Sequence, residues 1–548
     1  IIRGTTSIAS QGEYGLNTPL IILDGVEISI TQLYDLDIYE IERVDVLKDA
    51  SATSIYGEKA ANGVIVIERK KVTDKNIRVR YNFVPGFEFP DVDSYDYCNA
   101  IQKLELERLA GLYNTADGSL DESYNEKFKR IKKGADTDWM AKPLRNSTSF
   151  SHSLSMTGRG AGMDYGVTAN FSDKRGVMKG DYRNNYGLSF YFSYRLVDRL
   201  TITYRADINK TDTKASPYGS FSEFVKINPY DTPFNAYGEW NKILSYDFRN
   251  PLYDATTSSF DKSESKTITN NLTLRWDIWK GFYLTGAFSY SLSDSQSDKF
   301  VSPDHSSFET ETDPGKRGSY YISNMRGKSW QARVGLTYSK NLSDNGSILT
   351  LNVGANANRS NSSNNSFSGI GFLKGNLTDM AFANSYPTNG HPSGSESLSS
   401  SVGVYGNLNI IFLNRYFVDG AYRVSGSSKF GKDRRFAPFW SVGIGWNAHN
   451  ESFLSDLGWF NIFRIRGSVG YTGSVNFSDY QAITTYRYKQ DNNYLISMGA
   501  LPIAMGNDRL KWQTTVKYNV GATLEMWEGR LSANFDIYKE DTKDLLLS

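Results

Sequence analysis

From Leu200 to Lys210 the chain reads LTITYRADINK, and apolar and polar residues alternate almost without a break. Leu200, Ile202, Tyr204, Ala206 and Ile208 share one face of an extended chain, and Thr201, Thr203, Arg205, Asp207 and Asn209 share the other. A period of two marks a half-buried β-strand, because successive side chains of a strand point to opposite faces. The split recurs at Leu272–Ile278, Leu349–Asn358, Val402–Phe412, Phe463–Tyr471 and Leu531–Tyr538. Patterning of this kind predicts roughly 14 strands after residue 147.

Two architectures use such strands. A soluble sandwich turns the apolar face inward; an outer-membrane barrel turns it to lipid and lines its lumen with the polar face. The barrel fits better. The strands run to about 10–14 residues, against a usual ~5–6. Aromatic residues gather near strand ends, as in Trp276 with Trp279 and Tyr416 with Phe417, which suits interfacial girdles. The connections alternate short and long. Short ones lie at 195–199, 278–282, 412–415 and 527–530, long ones near 213–264, 296–326, 359–397 and 474–507. That rhythm sets short periplasmic turns against long extracellular loops.

Before about residue 147 the pattern changes. PLIILDGVEI predicts a buried strand, a tight turn at Asp24-Gly25 and a second strand. IERVDVLKD alternates again. Asp49 or Ser51 can cap a short helix ASATSIY, which Gly57 can end. Asn62-Gly63 supplies the next turn, and VIVIERKK reads as a strand. Residues 95–110 and 121–133 carry helical spacing. The segment is expected to be a compact α+β unit of about 145 residues.

Composition narrows the function. Hydrophobic residues make up 39% of the 548, and mean hydropathy is −0.47. The longest apolar runs fall far short of the ~20 residues of a membrane helix. The formal net charge is +1, so no general attraction to nucleic acid is implied. Cys98 is the sole cysteine, and the four histidines show no metal-ligand spacing. No cofactor or metal is expected. Neither a Ser-His-Asp pattern nor a paired-carboxylate spacing stands out, which argues against an enzyme. Nor does GEKAANG have the spacing of a phosphate loop.

The run PLIILDGV…IYEIERVDVLKDASATSIYGEKAANGVIVIERKK closely resembles the plug domain of TonB-dependent outer-membrane transporters of the SusC type. TDWM at 137–140 resembles the passage from plug to barrel. YRVSGSSKFG…RFAPFWSVGIGW (422–446), RIRGSVGYTGS (464–474) and LKWQTT…NVGATLEMWEGRLSANFDIYKEDTKDLL (510–546) resemble the barrel signatures of that subfamily, in the same order. The resemblance implies an α+β plug at 1–146 inside a transmembrane antiparallel β-barrel that begins at 147 and runs through 548. Asp24, Gly25, Lys48, Asp49, Tyr56, Gly57, Asn62 and Gly63 would be structural turns and caps of the plug.

The resemblance further implies a ring of about 22 strands. Size points the same way: a 145-residue plug has a radius of about 19 Å, which a ring of about 14 strands, with a backbone radius near 14 Å, could not enclose. On that basis about eight further strands are expected after Ser548, and a leader, a TonB box and the first plug residues before Ile1. The implied role is TonB-dependent import of oligosaccharides, or of peptides, across the outer membrane of a Gram-negative cell. Implied partners are a SusD-like surface lipoprotein, the TonB-ExbB-ExbD complex, membrane lipid and a second copy of the pair. The alternative is a SusC-like barrel serving as a structural or interaction subunit of a larger assembly. Candidate substrate-binding or lid-contact residues are Tyr230, Tyr237 and Trp240, which share a long loop with Asn228, Asn235 and Asn241. The stretch NRSNSSNNSFSG (358–369) reads as a polar loop.

Overall fold

The computed structural model describes residues 18–48, 56, 60, 62–72, 75–343, 346–456, 458–475, 477–494 and 497–545. The first unit is a four-stranded sheet. Its strands are β1 (Leu20–Leu23), β2 (Val26–Ile28), β3 (Ile41–Leu47) and β4 (Val64–Arg69), in the order β2-β1-β4-β3. β1 pairs parallel with β4; the other pairs are antiparallel. All four residues of β1 are buried, as a central strand covered on both faces requires. Leu20, Ile22, Ala60 and Val64 pack on one side of this sheet, and Ile21, Leu23 and Ile67 on the other. Between β1 and β2 the backbone turns through Asp24 (φ 50°) and Gly25 (φ 85°), the left-handed pair of a type I′ hairpin turn. After β2 comes helix α1 (Ile30–Tyr34), opened by a reciprocal Ser29–Gln32 capping box.

The second unit is a sheet of fifteen strands. It comprises β5 (Arg78–Glu88), β6 (Ser147–Gly160), β7 (Met163–Lys174), β8 (Tyr182–Val197), β9 (Leu200–Lys214), β10 (Phe260–Trp279), β11 (Phe282–Val301), β12 (Ser319–Ser343), β13 (Ser347–Ile370), β14 (Ser393–Phe412), β15 (Tyr416–Ser427), β16 (Phe436–Asn447) and β17 (Phe460–Ser474). A separate hairpin, β18 (Thr485–Tyr494) with β19 (Ser497–Ala504), follows; β20 (Gln513–Met526) and β21 (Leu531–Lys543) then complete the sheet beside β17. Each strand pairs antiparallel with its neighbour, as in an up-and-down wall, with β5 and β21 at its two edges.

The outer face of this wall decides between sandwich and barrel. Leu272, Phe288, Val334, Val353, Val404, Ile444, Val520 and Ile537 stand exposed on it, Ile444 and Val520 at 60%. Apolar patches on soluble monomers rarely exceed a few hundred Å², whereas this band continues from strand to strand. Exposure of that extent fits hydrocarbon. Trp279, Phe412, Tyr416, Trp459 and Trp527 ring the short-turn end; Trp459 stacks on Phe460 at 4.5 Å and faces Trp527 at 6.1 Å. No described helix is long and apolar enough to cross a membrane.

Several expectations change. The wall begins at Arg78, not at 147: the alternation of Val79, Tyr81 and Phe83 places β5 against β6. The expected helices exist, as α2 (Ala100–Leu109) and α3 (Glu122–Lys132), but they lie in the connection between β5 and β6. The helical periodicity was sound; the chain simply returns to the wall before and after it. Residues 78–146 belong to the wall and its connection and not to the plug, so a plug size taken from 145 residues does not apply. The stretch 358–369 is strand within β13. Together β12 and β13 run to 25 and 24 residues, far beyond the ~9–11 that cross a bilayer. Their excess rises on the long-loop side, where water meets both faces and apolar alternation gives way to serine and asparagine. The long loops therefore shrink to 215–259, 302–318, 371–392 and 475–512.

Spin labels at Ile202 and Thr203 in the membrane-embedded protein should report lipid and water respectively, by oxygen and nickel-chelate accessibility. Equal environments at the two sites would contradict the assignment of faces.

Candidate functional site

Strand β4 ends on an arginine that the plug cannot satisfy alone. The Arg69 side chain is 4% exposed. Its Nε donates to Asp24 Oδ2 at 2.8 Å, and its backbone N–H donates to Asp24 Oδ1 at 2.9 Å. Nη1 and Nη2 donate to the two carboxylate oxygens of Asp207 on β9, at 2.9 and 3.0 Å. Glu40 lies 3.5 Å from Nη1, and Arg205 on β9 lies 3.7 Å from Asp24. Ser189 on β8 donates to Asp207 at 2.7 Å. Burial disfavours the Arg69 charge, but the Asp207 carboxylate, with those of Asp24 and Glu40, outweighs it and raises the pKa above its ordinary range, so this charge is permanent. A two-pronged guanidinium–carboxylate contact fixes orientation as well as distance. It seats the plug against one place on the wall.

Asp24 and Gly25 thus do more than turn the chain, since Asp24 shapes the turn and grips Arg69. Gly63 (φ 91°) shapes the turn into β4, where Leu20 N–H donates to the Gly63 carbonyl at 3.0 Å. Asn62 precedes it in that turn. Tyr56 packs against the Leu20 side of the plug and under Arg333 of β12, 5.7 Å from the ring centre. Lys48 is exposed at the end of β3. Asp49, Gly57 and residues 50–55 of the expected helix ASATSIY lie outside the described residues.

Beside this seat the plug stands away from the wall. A chamber of about 690 Å³ separates the segment Glu27–Asp35 from β9–β13. The odd-numbered residues Ser263–Thr269 of β10 and Ser289–Ser295 of β11 line it, and every one is a serine or threonine. Alternation explains the array: even-numbered neighbours such as Ile268 and Phe288 face outward, so the odd positions must face the lumen. Cross-strand hydroxyl pairs include Thr213 with Ser263 at 2.7 Å and Thr269 with Ser291 at 3.1 Å. Plug-to-wall bonds flank the array. On one side Arg183 holds Asp35 at 2.8 Å; on the other, Gln331 donates to the Glu27 carbonyl at 3.3 Å.

The long loops form an outer layer. Trp139, Phe224, Ile227 and Leu244 pack together between the 89–146 connection and the 215–259 loop, each worth about 1.5–3 kcal/mol on full burial. TDWM therefore anchors a loop. Tyr230 is fully buried there and donates to Glu107 Oε1 of α2 at 2.9 Å. Lys127 of α3 donates to the Tyr113 and Tyr246 hydroxyls at 2.7 and 3.0 Å. Burial and the Glu107 carboxylate push the Tyr230 phenol far up. Tyr230 is thus an internal tie between this loop and α2, to a partner 123 residues away in sequence. Trp240 is half-buried and packs on Phe234, ring centres 4.2 Å apart. Tyr237 sits at the loop tip, 90% exposed.

Sequence reasoning missed a cluster that joins two loops. Asp254 accepts the Ser306 N–H and hydroxyl at 2.8 and 2.7 Å, and His305 Nε2 approaches it to 3.5 Å. His305 Nδ1 in turn accepts the Ser307 N–H at 3.1 Å. The arrangement caps a turn.

An apolar-faced wall with a separate domain seated on its polar face is the architecture of a plugged outer-membrane receptor. Comparison with known proteins agrees. Residues 1–64 match the model of the TonB-dependent receptor plug domain, and residues 203–548 match that of the TonB-dependent receptor-like β-barrel. The chain belongs to the TonB-dependent receptor family, in its SusC-type branch, and is an outer-membrane protein. Among curated relatives, it is 24% identical over 559 residues to TonB-dependent receptor P3 of Formosa agariphila, covering 100% of this chain and 52% of that protein. To TonB-dependent receptor SusC of Bacteroides thetaiotaomicron it is 26% identical over 608 residues, covering 100% and 55%. The chain spans about half the length of the curated relatives it matches. Its fold is similar to that of the RagAB peptide transporter, with a TM-score of 0.84 at 22% identity, covering 99% of this chain and 63% of that one.

The seat generates one expectation. Asp207→Asn should loosen the plug while the wall still assembles, because breaking one side of a buried ion pair costs about 3–5 kcal/mol. Protease cleavage at Lys70 and Lys71 should accelerate, and the double variant Arg69→Met with Asp207→Leu should recover most of the protection. Unchanged cleavage in Asp207→Asn would show that the seat does not hold the plug. The loop cluster generates another. Burial lowers the His305 pKa, so the folded state binds fewer protons than the unfolded state below about pH 6.5. The junction should weaken as pH falls through that range and be fully stable above it. Hydrogen exchange at 303–309, corrected for intrinsic rates, should rise on acidification, and His305→Gln should abolish that rise.

Proposed function

We propose that this chain is the plug and wall of a TonB-powered importer for uncharged oligosaccharides, working with a SusD-like surface lipoprotein and the TonB-ExbB-ExbD complex. The chamber wall carries the reading. A field of hydroxyls can donate and accept hydrogen bonds at every position, which suits a polyol. The carboxylate of Asp35 at its edge is already neutralised by Arg183. A charged ligand would meet hydroxyls alone on the β10 and β11 lining, with Arg359 of β13 and Glu27 of the plug as the other charged residues of the chamber. No bond is made or broken in this role. A peptide is the second reading, supported by the fold similarity to the RagAB peptide transporter.

The long loops would meet the lipoprotein. In the 215–259 loop, Phe234 and Trp240 pair across the base of a small tip, and Tyr237 projects from it. Aromatic tips of this kind serve as interface anchors or as stacking platforms for sugar rings.

Purification of the full-length protein from its native membrane, with identification of every co-purifying chain and ligand, tests the reading; a bound siderophore or a charged peptide would contradict it. Binding of a neutral oligosaccharide should be almost insensitive to salt, because no charge pair is screened. A marked fall in affinity at high salt would favour a charged ligand instead. Replacing 235–239 by two glycines should impair uptake or lipoprotein association without blocking assembly. If Tyr237→Ala weakens only lipoprotein association, the tip is an anchor; if it weakens only ligand binding, the tip is a platform.

A further inference from the structure

Along the described strands the lumenal face is not equally open. On the β15–β16 side the lumenal residues are packed: Arg423 is 3% exposed, Ser425 0% and Ser441 1%. On the β10–β11 side lies the chamber of about 690 Å³. We propose that the solute passage opens on this one side of the plug, between α1 and the hydroxyl-lined face of β10 and β11. The proposal rests on the importer reading and adds a route to it.

Three observations support the route. First, the gap is already there, and the Arg69–Asp207 seat lies beside it and not across it. Second, the plug element that faces the gap is cheap to move. Helix α1 has five residues, none of them buried, and Ile30 is 60% exposed. Displacing it forfeits the part-buried packing of Leu33 on Ile21, Leu23 and Ile67 and no fully buried side chain, and apolar burial is the main cost of moving a packed element. The contacts that restrain it are polar and exchangeable with water: Arg183 and Thr211 bond Asp35 at 2.8 and 3.4 Å, Gln331 bonds the Glu27 backbone in both directions at 3.3 Å, and Lys174 lies 4.0 Å over the Tyr34 ring. Third, the wall chemistry suits transit. A hydroxyl that releases one partner can take another or a water, so a chain of polyol or water exchanges bonds as it passes without a deep trap. Packed Arg423, held by Asn356 and Ser425 at 2.8 and 2.7 Å, offers no such path.

The test uses the full-length protein in living cells, with Cys98→Ser as background and any cysteine outside this chain removed. Thr273→Cys places a thiol on the lumenal face of β10, deeper than the chamber toward the short turns. Ser441→Cys places one on the packed side. A polyethylene-glycol maleimide too large for porin channels is added outside, with and without a protonophore. Labelling at Thr273→Cys should rise several-fold in energised cells, Ser291→Trp should suppress that rise by filling the chamber, and Ser441→Cys should not respond. A rise at Ser441→Cys, alone or equal to that at Thr273→Cys, would overturn the one-sided route while leaving powered opening intact. No energy-dependent rise at either site would overturn the route and the importer reading together.

Discussion

In hydrocarbon a backbone amide has no water to bond, so each residue at membrane depth must pair with a neighbouring strand. The rest of this molecule follows from that constraint. In one antiparallel sheet of fifteen strands, the thirteen between β5 and β21 meet it by pairing on both sides. Pairing forces every second side chain to lipid and the others to the lumen. The lipid side must then be apolar, as Leu272, Ile444 and Val520 are. The lumenal side is free to be polar, and there it carries hydroxyls, amides and a few charges. Those charges give the plug something specific to hold.

The plug and the wall solve each other's problem at Arg69. A buried guanidinium is costly unless its donors are taken, and among the described residues of the plug Asp24 and Glu40 lie nearby. Asp207 completes the set from the wall. Buried pairs of this kind are a weak source of net stability and a strong source of register, because a shift of either partner strands a charge. The chamber next to the seat is the complement: hydroxyls there impose no register on anything. One lumen thus has a part that holds and a part that yields, laid side by side on neighbouring strands.

Much of this was legible in sequence. The alternation at 200–208 and 272–278 identified the wall and its faces, and Asp24-Gly25 and Asn62-Gly63 marked their turns. What was not legible depends on contacts between distant segments. Strand β5 is a single alternating stretch stranded between a plug and two helices, and only its pairing with β6 reveals it as wall. Helical spacing in α2 and α3 says nothing of where a helix docks. Tyr230 looks like a surface aromatic in NPYDTPFNAYGEW until Glu107, 123 residues away, takes its hydroxyl. The serine- and asparagine-rich run in β13 resembles a loop because no lipid faces it. The hydroxyl field escaped notice because alternate serines across two strands form a surface only once β10 and β11 are in register.

The central claim is that a lipid-facing wall holds the plug at one ionic seat and stands clear of it next door. An electron cryomicroscopy map of the full-length protein in lipid tests this most directly. The account predicts the Arg69 guanidinium against both carboxylate oxygens of Asp207, Leu272 and Ile278 in the lipid annulus, and an open space between α1 and the serines of β10 and β11. A plug turned so that Arg69 faces another part of the wall, or packed flush against β10 and β11, would contradict it.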